Sequence, residues 1–317
     1  MLDETAFVAR RLCVVGNINR DLRTAPLSTG DYLFQDGETS TPFIRETLGG
    51  GAANSALAAA GLGADVRLVG KIGEDRTGYH LEAVLAAHNV RPFLVRDDEH
   101  PTGTSINLVF DNGHRHFVSS LPGSATLAYE DVDPAALEGC EHLLRADVWF
   151  SEPMLFGGNE KLFRAAREAG VAVSLDLNWD PAWGRGDEQA IARRKEAMRA
   201  VLPLVDCVHG NSTELNQFAG TGSIDAALSR ITAWGASAVA VHLGTEGAGY
   251  YYEGRLVREP CVPAPTVVNS TGTGDVLSVC MMLLHHRQEV PVAEKLRLAN
   301  RIVSEYMAGQ RSFVPEL

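Results

Sequence analysis

The segment Val267-Val268-Asn269-Ser270-Thr271-Gly272-Thr273-Gly274-Asp275 runs from an apolar stretch through a glycine-rich turn onto a carboxylate, and an apolar helical run follows at once. Such a turn can converge backbone N–H groups on an anion, and the start of the helix adds its positive dipole end. Asp275 stands where it can take a proton from a hydroxyl. Charge stabilisation and proton abstraction are joined in one short segment.

Two other segments could hold the molecule that loses that proton. Leu48-Gly49-Gly50-Gly51-Ala52-Ala53-Asn54-Ser55 opens an alanine-rich helix, so Gly49, Gly50 and Gly51 permit close approach while Asn54 offers an amide in the first turn. This suits a polyhydroxylated ligand. A plain glycine-rich connection with Asn54 as helix cap reads equally well. Gly16-Asn17-Ile18-Asn19-Arg20-Asp21 follows the first apolar run directly, where open-sheet enzymes place their ligands, and Asn19 and Asp21 could accept hydroxyls there. An Asp after a strand is also an ordinary turn former.

The elements that must position these residues follow from hydrophobic patterning. Short apolar runs recur at Leu12–Val15, Val66–Val69, Val148–Phe150, Val171–Leu175, Val205–Val208 and Ala238–Leu243, and helical periodicity fills Ala52–Leu62, Gly78–His88, Glu160–Ala169 and Asp187–Val201. Continuous apolar strands alternating with helices imply a mainly parallel sheet covered on both faces. A doubly wound α/β core is predicted. Thr104–Phe110 and Arg115–Ser120, joined through Asp111-Asn112-Gly113-His114, read instead as a hairpin. With the irregular stretch Asp21–Glu46 it predicts a small β layer, a lid or a dimerisation surface. No repeat or linker divides the chain, so residues 1–317 read as one domain with a lid drawn from about 17–46 and 93–121.

Composition narrows the partners. The 317 residues are 45% hydrophobic, enough for a large core, and 28 Lys+Arg against 40 Asp+Glu give a net charge of -12. Nucleic acid and anionic membrane are disfavoured, since both demand a basic surface. Cys13, Cys140, Cys207, Cys261 and Cys280 lie singly with no metal or redox spacing and read as buried thiols of a reducing compartment. With no signal-like apolar start and no run near the roughly 20 residues of a membrane helix, a cytoplasmic location is expected.

Together with Gly73-Glu74-Asp75-Arg76-Thr77-Gly78, the ordered set of motifs resembles the ribokinase or PfkB family of carbohydrate kinases from Leu12 to about Gly309. The resemblance implies a ribokinase-like, doubly wound Rossmann-like three-layer domain with a small β-sheet lid, using ATP and Mg2+. Asp275 matches the family's base toward the substrate hydroxyl, and Gly272, Thr273 and Gly274 its anion hole. Asn19, Asp21, Gly49, Gly50, Gly51, Asn54 and Glu152 match sugar-binding positions. Asn211, His242, Gly244, Gly247, Thr271 and Asn300 match nucleotide-binding ones, and Glu214 helps hold Mg2+ through water. Asn-Ser-Thr-Glu at 211–214 is also how an ordinary helix begins, and Asn300 also fits a polar helix face.

Departures from the family pattern carry their own expectations. His242 replaces a frequent Lys or Thr and supplies less positive charge. Asn269 stands where potassium-activated members have Asp, so monovalent cation activation should be weak or absent. Asp180 replaces an Arg, which disfavours an anionic substrate if its side chain faces the site. These readings predict an ATP-dependent kinase acting on a hydroxymethyl group of a small neutral sugar. The alternatives are a nucleoside kinase, with Phe43 or Phe117 stacking on a base, and a catalytically weak sugar-binding or regulatory protein. The resemblance also implies that the lid can pair with another subunit's lid. His114, His116, His285 and His286 have no metal-ligand spacing, and Arg193-Arg194-Lys195 reads as a solvated helix face.

Overall fold

The sequence's alternation of apolar runs and amphipathic stretches becomes, in the computed structural model, thirteen strands in two sheets among the described residues. It describes residues 2–7, 10–30, 33, 35–184, 186–268, 271–285 and 287–317. In chain order the strands are β1 (Arg11–Val15), β2 (Asn19–Thr24), β3 (Ile44–Gly49), β4 (Asp65–Gly73), β5 (Val90–Asp97), β6 (Gly103–Val109), β7 (Arg115–Ser120), β8 (His142–Arg145), β9 (Ala172–Asp176), β10 (Cys207–Asn211), β11 (Ala238–His242), β12 (Ala248–Tyr252) and β13 (Arg255–Glu259). The helices are α1 (Gly51–Gly61), α2 (Arg76–Ala87), α3 (Pro122–Ala125), α4 (Asn159–Glu168), α5 (Glu188–Val201), α6 (Ser212–Ala219), α7 (Ile224–Ala233), α8 (Thr273–Leu283) and α9 (Val292–Met307).

The large sheet runs β13-β12-β11-β10-β9-β8-β1-β4-β5, parallel from β11 through β5, with β12 and β13 added as an antiparallel edge. β1 shows why its sequence is apolar throughout. Leu12 and Val14 enter one core layer while Cys13 and Val15 enter the other, as expected of a strand buried on both faces. On one side α1, α8 and α9 cover the sheet, and on the other α4 through α7 do. Each fully buried Leu or Val in these layers contributes about 1.5–3 kcal/mol.

The second sheet, β3-β2-β6-β7, is the lid. It takes in the predicted hairpin, whose strands pair antiparallel from Thr104 with Ser120 to Val109 with Arg115. Residues 93–97, expected in the lid, belong to β5 of the large sheet instead, because β4 pairs with β5 along its whole length. At the lid's outer edge the Leu317 N–H bonds to the Glu46 carbonyl and Glu316 bridges Thr47, so the end of the chain lies along β3.

One strand assignment fails. Val148–Phe150 is a turn, and the strand is His142–Arg145, which begins six residues earlier. Asp147 has φ of 54°, which ends the strand, and Val148 and Trp149 are apolar because the turn itself is buried. Arg194 also departs from expectation. It is nearly buried and pairs with Asp180 at 2.9 Å, and it is not a solvated side chain. Four cysteines are buried as predicted, whereas Cys261 is exposed.

Candidate active site

Two helix starts meet at the carboxyl ends of the central strands. α1 carries Asn54 in its first turn, α8 carries Asp275 in its first turn, and the Asn54 amide donates to the Asp275 carboxylate at 3.3 Å. The left-handed Gly272, φ 78°, turns the chain into α8, whose first intrahelical bond runs from Val276 N–H to the Gly272 carbonyl. The N–H groups of Gly274 and Asp275 therefore stand at the helix's positive end. Tyr306 of α9 steadies the approach by donating its hydroxyl to the Thr271 carbonyl at 3.0 Å. Val267, Val268 and Thr271 flank this turn, while Asn269 falls outside the described residues.

The start of α1 is capped from within. Asp147, immediately beyond β8, accepts from the N–H groups of Asn17, Gly51 and Ala52 at 2.9–3.2 Å, and the Asn178 side chain accepts from its own N–H. The glycines of 49–51 make room for this. A Cβ at Gly49 would fall 2.2 Å from the Asp21 carboxyl, and one at Gly51 2.8 Å from Asp147. These glycines admit the protein's own carboxylates as much as any ligand. Asn19 in turn donates to Asp21 at 2.5 Å.

Five carboxylates share the site: Asp21, Asp147, Asp176, Glu214 and Asp275. Burial and then repulsion from Asp147, Glu214 and Asp21 hold the Asp275 pKa well above the usual carboxylate range, against the Asn54 hydrogen bond. Burial pushes Asp21 up to about 7, and Asp147 and Glu214 also rise through burial. Asp176, buried and facing Asp275 and Glu214, is raised as well. A carboxylate in this state is a stronger proton acceptor than one in water, as a general base near neutral pH must be.

Glu214 and Asn211 form a reciprocal cap on α6, each bonding the other's main chain at 2.8–2.9 Å. The helix-start reading of 211–214 is thus realised, and only one Glu214 oxygen is used by it. His242 lies beneath α8, its Nε2 3.3 Å from the Ser278 hydroxyl and its ring 3.0 Å from where a Cβ on Gly274 would stand. Burial lowers its pKa to about 4, so it is neutral and adds no charge to a bound phosphate. Gly244 and Gly247 turn β11 into β12 with positive φ, and a Cβ at Gly247 would collide with the Glu259 carbonyl. Asn300 spends its amide on the Glu259 and Pro260 carbonyls, tying α9 to the end of β13.

Glu152 and Asp180 both lie beside Arg194. Glu152 is displaced with its misassigned strand, its side chain 73% exposed and 3.8 Å from Arg194. Asp180 is fully buried in its ion pair with Arg194, so it sets no limit on the charge of a substrate. Sequence reasoning missed Asp147, whereas Asp176 and Asn178 lie in a segment, Asp176–Trp183, that matches the Asp-x-Asn pattern of many sugar kinases in part. The signal for Asp147 was weak, because Arg145 interrupts the apolar residues Leu143, Leu144 and Ala146 that precede it.

Between the lid and the start of α8 lies a cavity of about 370 Å3, bordered by Asp21, Arg23, Arg45, Asn54, Asn107 and Thr271 among others. The lid reaches down on it from the side of β7, where Arg115 donates to the Thr271 hydroxyl at 2.8 Å. Phe43 and Phe117 are not among the residues that border it, although Phe43 lies under Arg45, which is.

A doubly wound sheet with a β lid, closing over a helix-start anion site and a raised carboxylate, defines a class of small-molecule phosphotransferases. The chain belongs to the pfkB family of carbohydrate kinases, whose sequence model matches residues 9–304. It is 26% identical over 279 residues to a ribokinase of Arabidopsis thaliana, covering 84% of this chain and 68% of that one. Over 180 residues it is 50% identical to a D-beta-D-heptose 7-phosphate kinase of Bordetella bronchiseptica, 50% of this chain and 58% of the other. Among solved structures, a fructokinase of Xylella fastidiosa with bound ATP matches with a TM-score of 0.79 at 22% identity, over 96% and 94% of the two chains. The protein is a phosphotransferase of the sugar kinase type. No helix among the described residues is long and apolar enough to cross a membrane.

Proposed function

We propose that the protein transfers the γ-phosphoryl group of ATP to a hydroxymethyl group of a sugar, with Asp275 as the base. The observation that carries this is the Asn54–Asp275 pair set at the N-terminus of α8. Asp275 takes the hydroxyl proton as that oxygen attacks, and the N–H groups of the Gly272–Asp275 turn receive the charge on the transferring group. Asp21, Asn19 and Asn54 orient the sugar's hydroxyls, and Arg115 holds the lid against Thr271, excluding water.

Mg2+ fits the site as a partner of nucleotide phosphates. Among the described residues no three His, Cys, Asp or Glu side chains are grouped to hold a metal alone. Glu214 keeps one oxygen outside its helix cap, in a field of carboxylates whose raised pKa values favour a nearby cation. When bound, the ion would neutralise phosphate charge. The relatives' names include neutral and phosphorylated sugars, so kinship places no restriction on the acceptor's charge.

The test is ADP release from Mg-ATP across a panel of sugars and nucleosides, with Asp275→Asn as the control. Full activity in the Asn variant would sink the mechanism, and phosphorylation of nucleosides alone would replace the acceptor class.

A further inference from the structure

Strand register sorts the lid's inner side chains into rows. Asp21 pairs with Thr47 on β3 and with Ser105 on β6, and Arg23 pairs with Arg45 and Asn107. Alternate residues share a face of a strand, and a two-residue step is about 6.6 Å. A row of hydroxyl and carboxylate groups near Asn54 is thus followed, one step further from Asp275, by a row holding two guanidiniums. Asp21, Thr47, Arg23, Arg45 and Asn107 all border the same cavity.

The second row is poorly satisfied as it stands. Like charges directly opposite on neighbouring strands are destabilising unless something of opposite charge lies between them. Arg23 is half-buried and makes no ion pair among the described residues. Arg45 lies 4.7 Å over the Phe43 ring and pairs with Glu316 at 3.2 Å, exposed by more than half on both sides, which is worth little. Arg115 adds a third cation whose repulsion from Arg23, after burial, lowers its own pKa. Arg311 is already bonded to Glu4 and Glu305. Beside the arginines, the side-chain oxygen of Asn107 is buried with no partner among the described residues, on a residue 2% exposed, and as an acceptor it calls for a ligand hydroxyl rather than an anion. In a chain of net charge -12, Arg23 without an ion pair among the described residues, next to the weakly paired Arg45, concentrates positive charge at this end of the cavity.

We propose that the sugar taken by this site carries an anionic group, a carboxylate or a phosphate, at the end remote from the reacting hydroxyl, held by Arg23 and Arg45. This deepens the sugar kinase reading above and rests on it. Guanidinium forks match the planar carboxylate and the phosphate face bidentately. The rows are one two-residue step apart along the strand, so the anion lies further along the cavity than the hydroxyl held by Asp21. The earlier expectation of a neutral sugar rested on Asp180 facing the site, and that side chain is sealed in its pair with Arg194.

The experiment compares kcat/KM for ADP release with neutral sugars and polyols, aldonates and sugar phosphates, each with a free hydroxymethyl group, and repeats the comparison with R23Q and R23K. The best substrate is expected to be anionic, preferred by about tenfold to hundredfold over its neutral counterpart. R23Q should collapse that ratio, and R23K should restore part of it. The aldonate and phosphate arms decide which anion is meant. Calorimetric binding of the same compounds gives a readout independent of turnover, in which only anionic ligands should lose affinity in R23Q. A neutral best substrate, or an unchanged ratio in R23Q, overturns the inference while leaving the kinase reading intact. If no compound is phosphorylated, the kinase reading fails, and the inference that rests on it fails too.

Discussion

Asn54 on α1 and Asp275 on α8 are joined by an amide-to-carboxylate contact of 3.3 Å that links the first turns of two helices. Each side chain's position is therefore set by the other's helix. Asp275→Asn should lower kcat by about 100-fold to 10,000-fold, the range for removing a general base. KM for the sugar should move little. Steady-state kinetics separate the two, and a large KM change with preserved kcat would make Asp275 a binding group instead.

Asn54→Ala removes the one side-chain hydrogen bond that favours the ionised form of Asp275. The Asp275 pKa should rise further and shift the acid limb of kcat/KM to higher pH. A variant whose limb stays in place would show that this amide acts on the sugar alone.

Asp21 contributes its own pH dependence. Its folded pKa is raised to about 7 by burial, so the carboxylate form that accepts a sugar hydroxyl gains population as pH rises through neutrality. We expect kcat/KM to climb between about pH 6 and 8. In Asp21→Asn the climb should flatten, leaving only the contribution of Asp275. An unaltered profile in that variant would remove Asp21 from the titration.

Acid sensitivity should have a source in the sheet beneath the site, beside Asp176. His209 is fully buried against Ser174, and burial lowers its pKa from 6.5 to about 3. The unfolded chain then binds a proton that the folded one refuses between those values. The stability attributable to this group is complete above pH 6.5 and falls by about 1.4 kcal/mol per unit below it. Chemical denaturation at pH 7.5 and 5.5 should show a smaller loss in His209→Gln than in the parent. Equal losses would point to other groups.

Arg194→Met leaves the Asp180 carboxylate buried without its partner and should cost about 3–5 kcal/mol of stability. Because neither side chain borders the cavity, Asp180→Asn should leave the ratio of anionic to neutral sugar turnover unchanged. A shift in that ratio would return Asp180 to the site.

Much of this was legible in the sequence because period and turn chemistry are local. Continuous apolar strands and an Asn-Gly turn led directly to the parallel sheet and the lid hairpin, and Gly272-Thr273-Gly274-Asp275 to the start of α8. The misreading at Val148–Phe150 has a physical cause. Burial alone makes a segment apolar, and a buried turn anchored by Trp149 looks like a strand until the left-handed Asp147 is seen. Glu152 was misplaced with it, and the residue that caps α1 went unnoticed. Asp180 could not be resolved from its neighbours, since its partner Arg194 lies on a different helix. The arginine row was equally hidden, because it exists only through the register of β2 with β3.

The end of the chain, laid against β3 at Thr47 and Glu46, has a consequence for assembly. A four-stranded sheet has two edges, and a bare edge is a template for another strand. Here one of them is partly occupied by the protein's own tail. β7, exposed at every residue from Arg115 to Ser120, is the edge still able to accept a strand. Sheet extension between two lids would therefore proceed from β7, bringing Arg115, and with it the contact to Thr271, to the seam between subunits.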